Sequence, residues 1–208
     1  MAWAVFVDFD GTITDVDTFD VFVRRFAGDG PWTDIEGRLN RNEISLRAAL
    51  ALEASYVRTT LDEADAVLRD IVRIDPSFAD FVAACEARDA RLAIVSSGIE
   101  PLIKRALARA GLERLEVIAN PVTVDPAGWR IDFRDDSDNG NDKAALVRAA
   151  AAEGLATLFV GDGRSDYDAA LAADRRFAKR GGYLEGYLER RGVAFESFSS
   201  FAEVTAAW

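Results

Sequence analysis

The sequence predicts an α/β fold: a Rossmann-like parallel sheet with helices on both faces and a small inserted helical cap. Three observations carry that expectation. Short apolar runs rich in β-forming residues recur along the chain with helical segments between them, the pattern of βαβ units. Three of these runs stop abruptly at polar residues and glycine, in Asp8-Phe9-Asp10-Gly11, Ser96-Ser97-Gly98 and Gly161-Asp162-Gly163. Between the first and second runs the alternation fails, and residues 15–74 read as helices alone.

Taken in order, Trp3–Phe9 is predicted as a buried first strand. Thr18–Ala27, Ser45–Val57 and Leu61–Ile71 then read as helices, with Gly28-Asp29-Gly30-Pro31 as a turn. Asp75 suits the cap, and Pro76 the first position, of a helix reaching about Arg88. Arg91–Val95 is the next strand, followed by a helix from Glu100 to Ala110 that Gly111 closes. Leu115–Asn120 reads as a strand. Val122–Val124 and Trp129–Phe133 flank Pro126-Ala127-Gly128 as a small hairpin. Asp142–Glu153 is an alanine-rich helix stopped by Gly154, Ala156–Val160 a strand, and Tyr167–Ala173 a helix. A short strand at Phe177–Ala178 and helices at Tyr183–Arg190 and Phe201–Ala207 complete the pattern. The chain divides on this reading into a discontinuous α/β core, 1–14 and 75–208, and a helical cap, 15–74.

Composition narrows the function. A chain of 208 residues, half of them apolar, can bury one core and a small lobe. A net charge of -11 would repel a nucleic-acid backbone or an anionic bilayer, so neither is expected as a partner. The absence of histidine removes Ser-His-Asp triads, histidine phosphatases and most zinc sites. With Cys85 as the only cysteine, no intrachain disulfide forms, which fits a reducing compartment. No apolar run is long enough to cross a bilayer and no basic leader opens the sequence, so the cytoplasm is the expected location. Cys85 and Arg91 have the spacing of cysteine-dependent phosphatases, but the glycine-free segment between them reads as a helix end, and no chemistry is assigned to the thiol.

The polar strand ends are the candidate site, because ligands of an open parallel sheet bind beyond its carboxyl edge. Alternation along a strand points Asp8 and Asp10 the same way. Asp162 ends another strand, and Asp166 follows one helical turn later. Four carboxylates gathered at one edge raise one another's pKa. A hard dication with oxygen ligands removes that conflict, so Asp8, Asp10, Asp162 and Asp166 are expected to hold Mg2+. The ion would also offset the acidic surroundings for an incoming phosphate. Lys143, one of only three lysines, the Ser96 hydroxyl and the backbone N–H groups of Ser97 and Gly98 are expected to cradle that phosphate.

Asp8-Phe9-Asp10-Gly11-Thr12-Ile13-Thr14 resembles the first motif of the haloacid dehalogenase superfamily. Ser96-Ser97-Gly98, Lys143 and Gly161-Asp162-Gly163-Arg164-Ser165-Asp166 resemble its second, third and fourth motifs, in order. The resemblance covers the whole chain and implies a magnesium-dependent phosphatase acting on a small-molecule phosphate ester. It makes Asp8 the nucleophile that forms an aspartyl-phosphate, and Asp10 the group that protonates the leaving oxygen and then activates water. It places magnesium on Asp8, the backbone carbonyl of Asp10 and Asp162, with Asp166 as ligand or support, and the phosphoryl group on Ser96 and Lys143. The second carboxylate, Asp10, favours phosphoryl chemistry over the carbon–halogen branch.

The inserted helices resemble the cap of the phosphoserine phosphatase branch. Glu36-Gly37-Arg38-Leu39-Asn40 and Ser45-Leu46-Arg47 look like the segment whose arginine binds a serine carboxylate, which would be Arg47, while Asp17 stands near the place of the cap acid. Toward the end of the chain, Phe177-Ala178-Lys179-Arg180, Tyr183-Leu184 and Phe195 to Val204 resemble the methionine-salvage phosphatases acting on a 2-hydroxy-3-keto-5-methylthiopentenyl phosphate, the expected nearest group. Phosphoserine phosphatase, a phosphotransferase of the same fold and a non-catalytic phosphate-binding protein stand as alternatives. Plainer readings accompany the sharp ones. Asp15, Asp17 and Asp20 suit a helix start, Arg47 a solvated helix face, the four tryptophans packing, and Asp132–Asp142 a solvated loop.

Overall fold

The computed structural model describes residues 2–208. Strand β1 (Trp3–Val7) leads into four helices, α1 (Thr18–Ala27), α2 (Asp29–Asn40), α3 (Leu46–Tyr56) and α4 (Leu61–Ile71). The chain continues through α5 (Phe78–Ala87), β2 (Arg91–Ile99), α6 (Glu100–Arg109), β3 (Glu116–Asn120) and a hairpin of β4 (Val122–Thr123) and β5 (Arg130–Ile131). Then come α7 (Lys143–Ala152), β6 (Ala156–Gly161), a 3-10 turn at Arg164–Asp166, α8 (Tyr167–Ala172), β7 (Arg175–Lys179), α9 (Tyr183–Arg191), β8 (Glu196–Phe198) and α10 (Phe201–Ala207).

Six strands form one parallel sheet in the order β3-β2-β1-β6-β7-β8. The winding reverses at β1: the chain moves outward through β2 and β3, then returns to β6 on the other side. Val7 lies in register with Val160, so Asp8 and Asp162 leave neighbouring strand ends at that reversal. Alternate residues of β1 feed opposite layers. Val5 and Val7 join Phe78, Phe81, Phe198 and Phe201 on one face, while Ala4 and Phe6 join Val147, Leu184 and Leu188 on the other. Burial on both faces is why the run carries no polar alternation.

The expected α/β fold is the observed one, with four local corrections. The supposed turn at Gly28-Asp29-Gly30-Pro31 opens helix α2. Pro31 sits in the first turn, where a helix has no use for its missing N–H, and Trp32, Ile35 and Leu39 then share one face. Strand β2 runs on through both serines to Ile99, with a register shift against β3 between Val95 and Ile99. Helix α5 starts at Phe78, because Asp75 accepts from the Ser77 N–H at 2.8 Å and holds a separate turn first. Edge strand β8, too short for a periodic signal, was not expected from the sequence and buries Phe198.

The four inserted helices build their own apolar cluster, with Phe22, Val23, Ala54, Val57 and Ala64 around Trp129 of the β4–β5 hairpin. The Trp129 indole N–H donates to the Thr59 carbonyl at 2.8 Å, so the hairpin packs into the inserted helices. The two connections of the insertion lie side by side. Thr14 bridges Ile74, the Asp15 N–H donates to the Arg73 carbonyl at 3.0 Å, and the Asp75 N–H to the Ile13 carbonyl at 2.8 Å. Among the described residues, no helix is long and apolar enough to cross a membrane.

Candidate active site

Asp8 follows the last residue of β1, and its backbone N–H donates to the Val160 carbonyl at 2.9 Å, which ties it to β6. Asp142 caps α7 by accepting from the Ala145 N–H at 2.9 Å, and that sets Lys143 in the first turn, facing the sheet edge. Lys143 is 1 % exposed, and its ammonium donates to Asp8 Oδ1 at 2.5 Å and to Asp166 Oδ1 at 2.7 Å. The other Asp166 oxygen accepts from the Asp162 N–H at 3.0 Å and the Gly163 N–H at 2.9 Å, which shapes the loop after β6. Asp162 in turn accepts from the Thr12 hydroxyl at 2.7 Å. Gly11 is required here twice over. Its φ is +74°, and a Cβ would stand 2.6 Å from Asp162 Oδ2.

One carboxylate oxygen from each of Asp8, Asp162 and Asp166 lies within 4.8 Å of the others. Lys143 bonds two of these carboxylates directly, and only the more distant charges of Lys143 and Lys179 act on Asp162. Burial, then Asp166, pushes the Asp8 carboxyl well above its ordinary range, with Lys143 pulling the other way. Burial and Asp166 push Asp162 up to about 6, against the Thr12 hydrogen bond. For Lys143, burial disfavours the charge, but Asp166 and Asp8 outweigh it and hold the ammonium above its usual value. The uncompensated negative charge and the all-oxygen donor set fit a hard dication such as magnesium, and fit zinc or copper poorly.

Asp10 is placed differently from the expectation that grouped its side chain with the ion ligands. That side chain turns away from the cluster. Oδ1 accepts from the Thr18 N–H at 3.2 Å and from the Thr18 hydroxyl, and Oδ2 accepts from the Ser96 hydroxyl at 3.0 Å. Burial raises its pKa, and the bonds from Thr18 and Ser96 offset part of the rise. The Gly98 N–H donates to Ser96 Oγ at 2.8 Å, and a Cβ on Gly98 would meet Asp10 Oδ2 at 2.7 Å. The Ser97 hydroxyl points elsewhere, donating to the Asn139 carbonyl at 2.8 Å.

Residues 5–171 match the family of haloacid dehalogenase-like hydrolases. The chain belongs to that family. It is 36% identical over 210 residues to "Pdp3-interacting factor 1" of Schizosaccharomyces pombe, covering 96% of this chain and 92% of that protein. It is 30% identical over 220 residues to "Polyol phosphate phosphatase PYP1" of Saccharomyces cerevisiae, covering 98% and 91%. A "2-hydroxy-3-keto-5-methylthiopentenyl-1-phosphate phosphatase" of Microcystis aeruginosa is 26% identical over 205 residues, covering 98% and 96%. A substrate-bound phosphoserine phosphatase superposes with a TM-score of 0.77 at 16% identity, covering 100% of this chain and 98% of that one, and shares the fold. The protein is a phosphatase of the haloacid dehalogenase type, a phosphoric monoester hydrolase, as its motifs implied.

The segment Ser96-Ser97-Gly98 is braced by two amides that sequence reasoning missed. Asn120 donates to the Ser97 and Gly140 carbonyls at 2.8 and 2.9 Å, and Asn141 to the Ser96 and Ile118 carbonyls at 2.9 and 3.0 Å. Thr12 and Thr18 were missed as partners too. Thr12 lies inside the first motif and was findable, whereas nothing in the sequence marks Thr18.

A cleft of about 230 Å³ lies between the strand ends and helices α1–α3. Asp8, Asp10, Ser96, Ser97, Gly98 and Asp162 line its floor, and Asp17 lies at its rim, accepting from the Asp20 N–H at 3.0 Å to cap α1. Arg47, which the resemblance puts at a substrate carboxylate and the plainer reading on a solvated helix face, ties α3 to the loop after β5 in this structure. Its N–H donates to the Asp138 carbonyl at 2.8 Å, its guanidinium donates to the Asp135 carbonyl, and it lies 4.5 Å over the Phe133 ring. The expected solvated loop therefore anchors α3. Cys85 is buried on α5, and burial pushes its thiol up to about 12, so it has no reactive thiolate.

Proposed function

We propose that the protein hydrolyses a small-molecule phosphomonoester through an aspartyl-phosphate on Asp8, with Mg2+ as cofactor. The observation that carries this reading is the division of labour between two neighbouring aspartates. Asp8 faces Asp162, Asp166 and Lys143, while Asp10 faces Thr18 and Ser96 across the same cleft floor.

In the first step an Asp8 oxygen attacks phosphorus and the bond to the leaving oxygen breaks. Asp10 gives its proton to that oxygen, so the alcohol departs neutral. In the second step Asp10 takes a proton from water as the water oxygen attacks the same phosphorus, and free phosphate leaves with Asp8 restored. Thr18 and Ser96 grip both Asp10 oxygens and fix the line of proton transfer. Lys143 orients Asp8 and offsets charge on the phosphoryl oxygens, and Asp166 holds both Lys143 and the loop carrying Asp162. Magnesium held by Asp8, Asp162 and the Asp10 carbonyl, with Asp166 behind them, supplies further positive charge to the phosphoryl group when bound. Residues 15–74 act as a cap that shields this chemistry from bulk water.

The test is acid quenching during turnover of an aryl phosphate, followed by peptide mass analysis. A phosphoryl group on Asp8, absent in Asp8→Asn and after magnesium chelation, is the expected result. Turnover that survives both changes rules the mechanism out. Free phosphate as the sole phosphorus product in the presence of added alcohols separates hydrolysis from phosphotransfer. The names of two relatives bring two leaving groups to consider, a polyol and a methylthio-ketone enol.

A further inference from the structure

The roof of the cleft carries side chains that the hydrolytic mechanism does not use. Each of three helices offers an acidic residue beside apolar ones: Asp20 with Phe19 from α1, Glu36 with Leu39 from α2, and Glu53 with two leucines from α3. Glu53 differs from its companions. It is 2 % exposed, and among the described residues its Oε1 has no hydrogen-bond partner. Asp20, by contrast, accepts from the Trp32 indole N–H at 2.9 Å. A buried carboxyl oxygen left without a donor calls for an explanation, and a ligand is the one a cleft wall supplies.

We infer that Glu53 is a specificity-determining residue that binds hydroxyl groups of the substrate's leaving alcohol, and that this alcohol is a neutral polyol. The inference rests on the phosphatase reading above and extends it to the other end of the substrate. A roof that carries both carboxyl and apolar side chains suits a chain that presents both O–H groups and C–H faces. A hydroxyl needs an acceptor for its proton and gains from a donor to its oxygen. Burial, with Glu36 and Asp20 nearby, pushes Glu53 up to about 8, so near neutral pH its carboxyl offers both.

The same roof opposes an anionic leaving group. Among the described residues lining the cleft, Arg164 is the cation, and it donates to Asn40 Oδ1 at 2.5 Å while lying 4.8 Å over the Tyr183 ring. Arg47 is committed to the loop beyond α3. A carboxylate such as that of phosphoserine would meet the three acidic side chains Glu53, Glu36 and Asp20 against the single cation Arg164. The cleft volume of about 230 Å³ lies below the ~300–1,000 Å³ of sites for drug-sized ligands, which suits an alcohol of a few carbons.

The experiment measures kcat/KM with magnesium for glycerol 3-phosphate, sorbitol 6-phosphate, phosphoserine, phosphoethanolamine and an aryl phosphate lacking hydroxyls. The expected wild-type result is a preference of about 10²-fold for a polyol phosphate over both phosphoserine and phosphoethanolamine. Glu53→Leu is expected to lower the polyol-to-aryl ratio about 10- to 100-fold, chiefly through KM, with Glu53→Gln retaining part of it. A preference for phosphoserine or phosphoethanolamine overturns the inference. So does a ratio unchanged in whichever of the two variants folds, as judged by its unfolding midpoint. Turnover of the aryl phosphate without any such preference sinks this inference and leaves the phosphatase reading standing. Failure with every ester, the aryl phosphate included, sinks both.

Discussion

Two acidic sets face each other across the cleft. On the floor, Asp8, Asp162 and Asp166 share Lys143, the Thr12 hydroxyl and two backbone N–H groups. On the roof, Asp17 and Asp20 have donors of their own, while the Glu53 Oε1 has none among the described residues. The floor is bonded in advance because phosphoryl transfer needs its groups fixed before the substrate arrives. The roof keeps a valence open, as a surface must if it is to recognise something. The sets also differ in origin. Floor residues follow strand ends, whose separation the sheet sets, whereas roof residues come from three helices whose packing decides which side turns inward.

The sharpest way to break this comparison is at the floor. Asp10→Asn should slow an alkyl phosphate about 10²- to 10⁴-fold, and an aryl phosphate much less, because a phenolate leaves without a proton. Equal losses on both esters would show that Asp10 does not serve the leaving oxygen. Lys143→Met leaves Asp8 and Asp166 buried without their cation and should cost about 3–5 kcal/mol in urea unfolding. Added magnesium should restore more of that loss than it adds to the wild type. A variant as stable as the wild type would mean that the carboxylates are not strained by their proximity.

Effects at the roof should be smaller and should depend on pH. Burial, helped by the negative charges of Glu36 and Asp20, holds the Glu53 proton in the folded protein up to about 8, above the ordinary 4.5. Below 4.5 both folded and unfolded chains are protonated at this site, so it contributes no difference. From 4.5 to 8 the unfolded chain ionises first, and stability falls as pH rises, by at most about 1.4 kcal/mol per pH unit. The stability advantage of Glu53→Gln over the wild type should therefore grow through that window and level off above it. A difference flat in pH would count against a buried, proton-holding Glu53. The smallest effect belongs to Arg47→Ala, which loses a tether worth about 1–2 kcal/mol and should leave the ratio of phosphoserine to aryl phosphate turnover unchanged. A fall in that ratio would return Arg47 to the cleft.

The floor was legible in the sequence because strands impose a short period and the motifs end on them. Asp8 and Asp10 flank one residue at the end of β1, and Asp162 and Asp166 lie one turn apart, so all four positions could be read at the sheet edge. Direction was less legible than position. The Asp10 side chain leaves the ion cluster because Thr18, on α1, supplies two donors on the far side. Ser97 turns its hydroxyl outward because β2 runs through it, which places consecutive serines on opposite faces. Helix α2 was hidden behind a glycine–proline signal that serves a helix start as well as a turn.

Most of the order of strands and helices, short of α2 and β8, together with the four motifs and the excess of acid at the sheet edge, was determined by the sequence alone, since each rests on residues close in the chain. The roof was decided only by the tertiary structure. Successive helix residues turn by about 100°, so Leu46, Leu50 and Glu53 face the cleft while Arg47, the neighbour of Leu46, points to the loop at Asp135. Which of those faces looks inward depends on how α3 packs against α1, α2 and Trp129, residues brought together across long stretches of chain by apolar burial that no local pattern encodes.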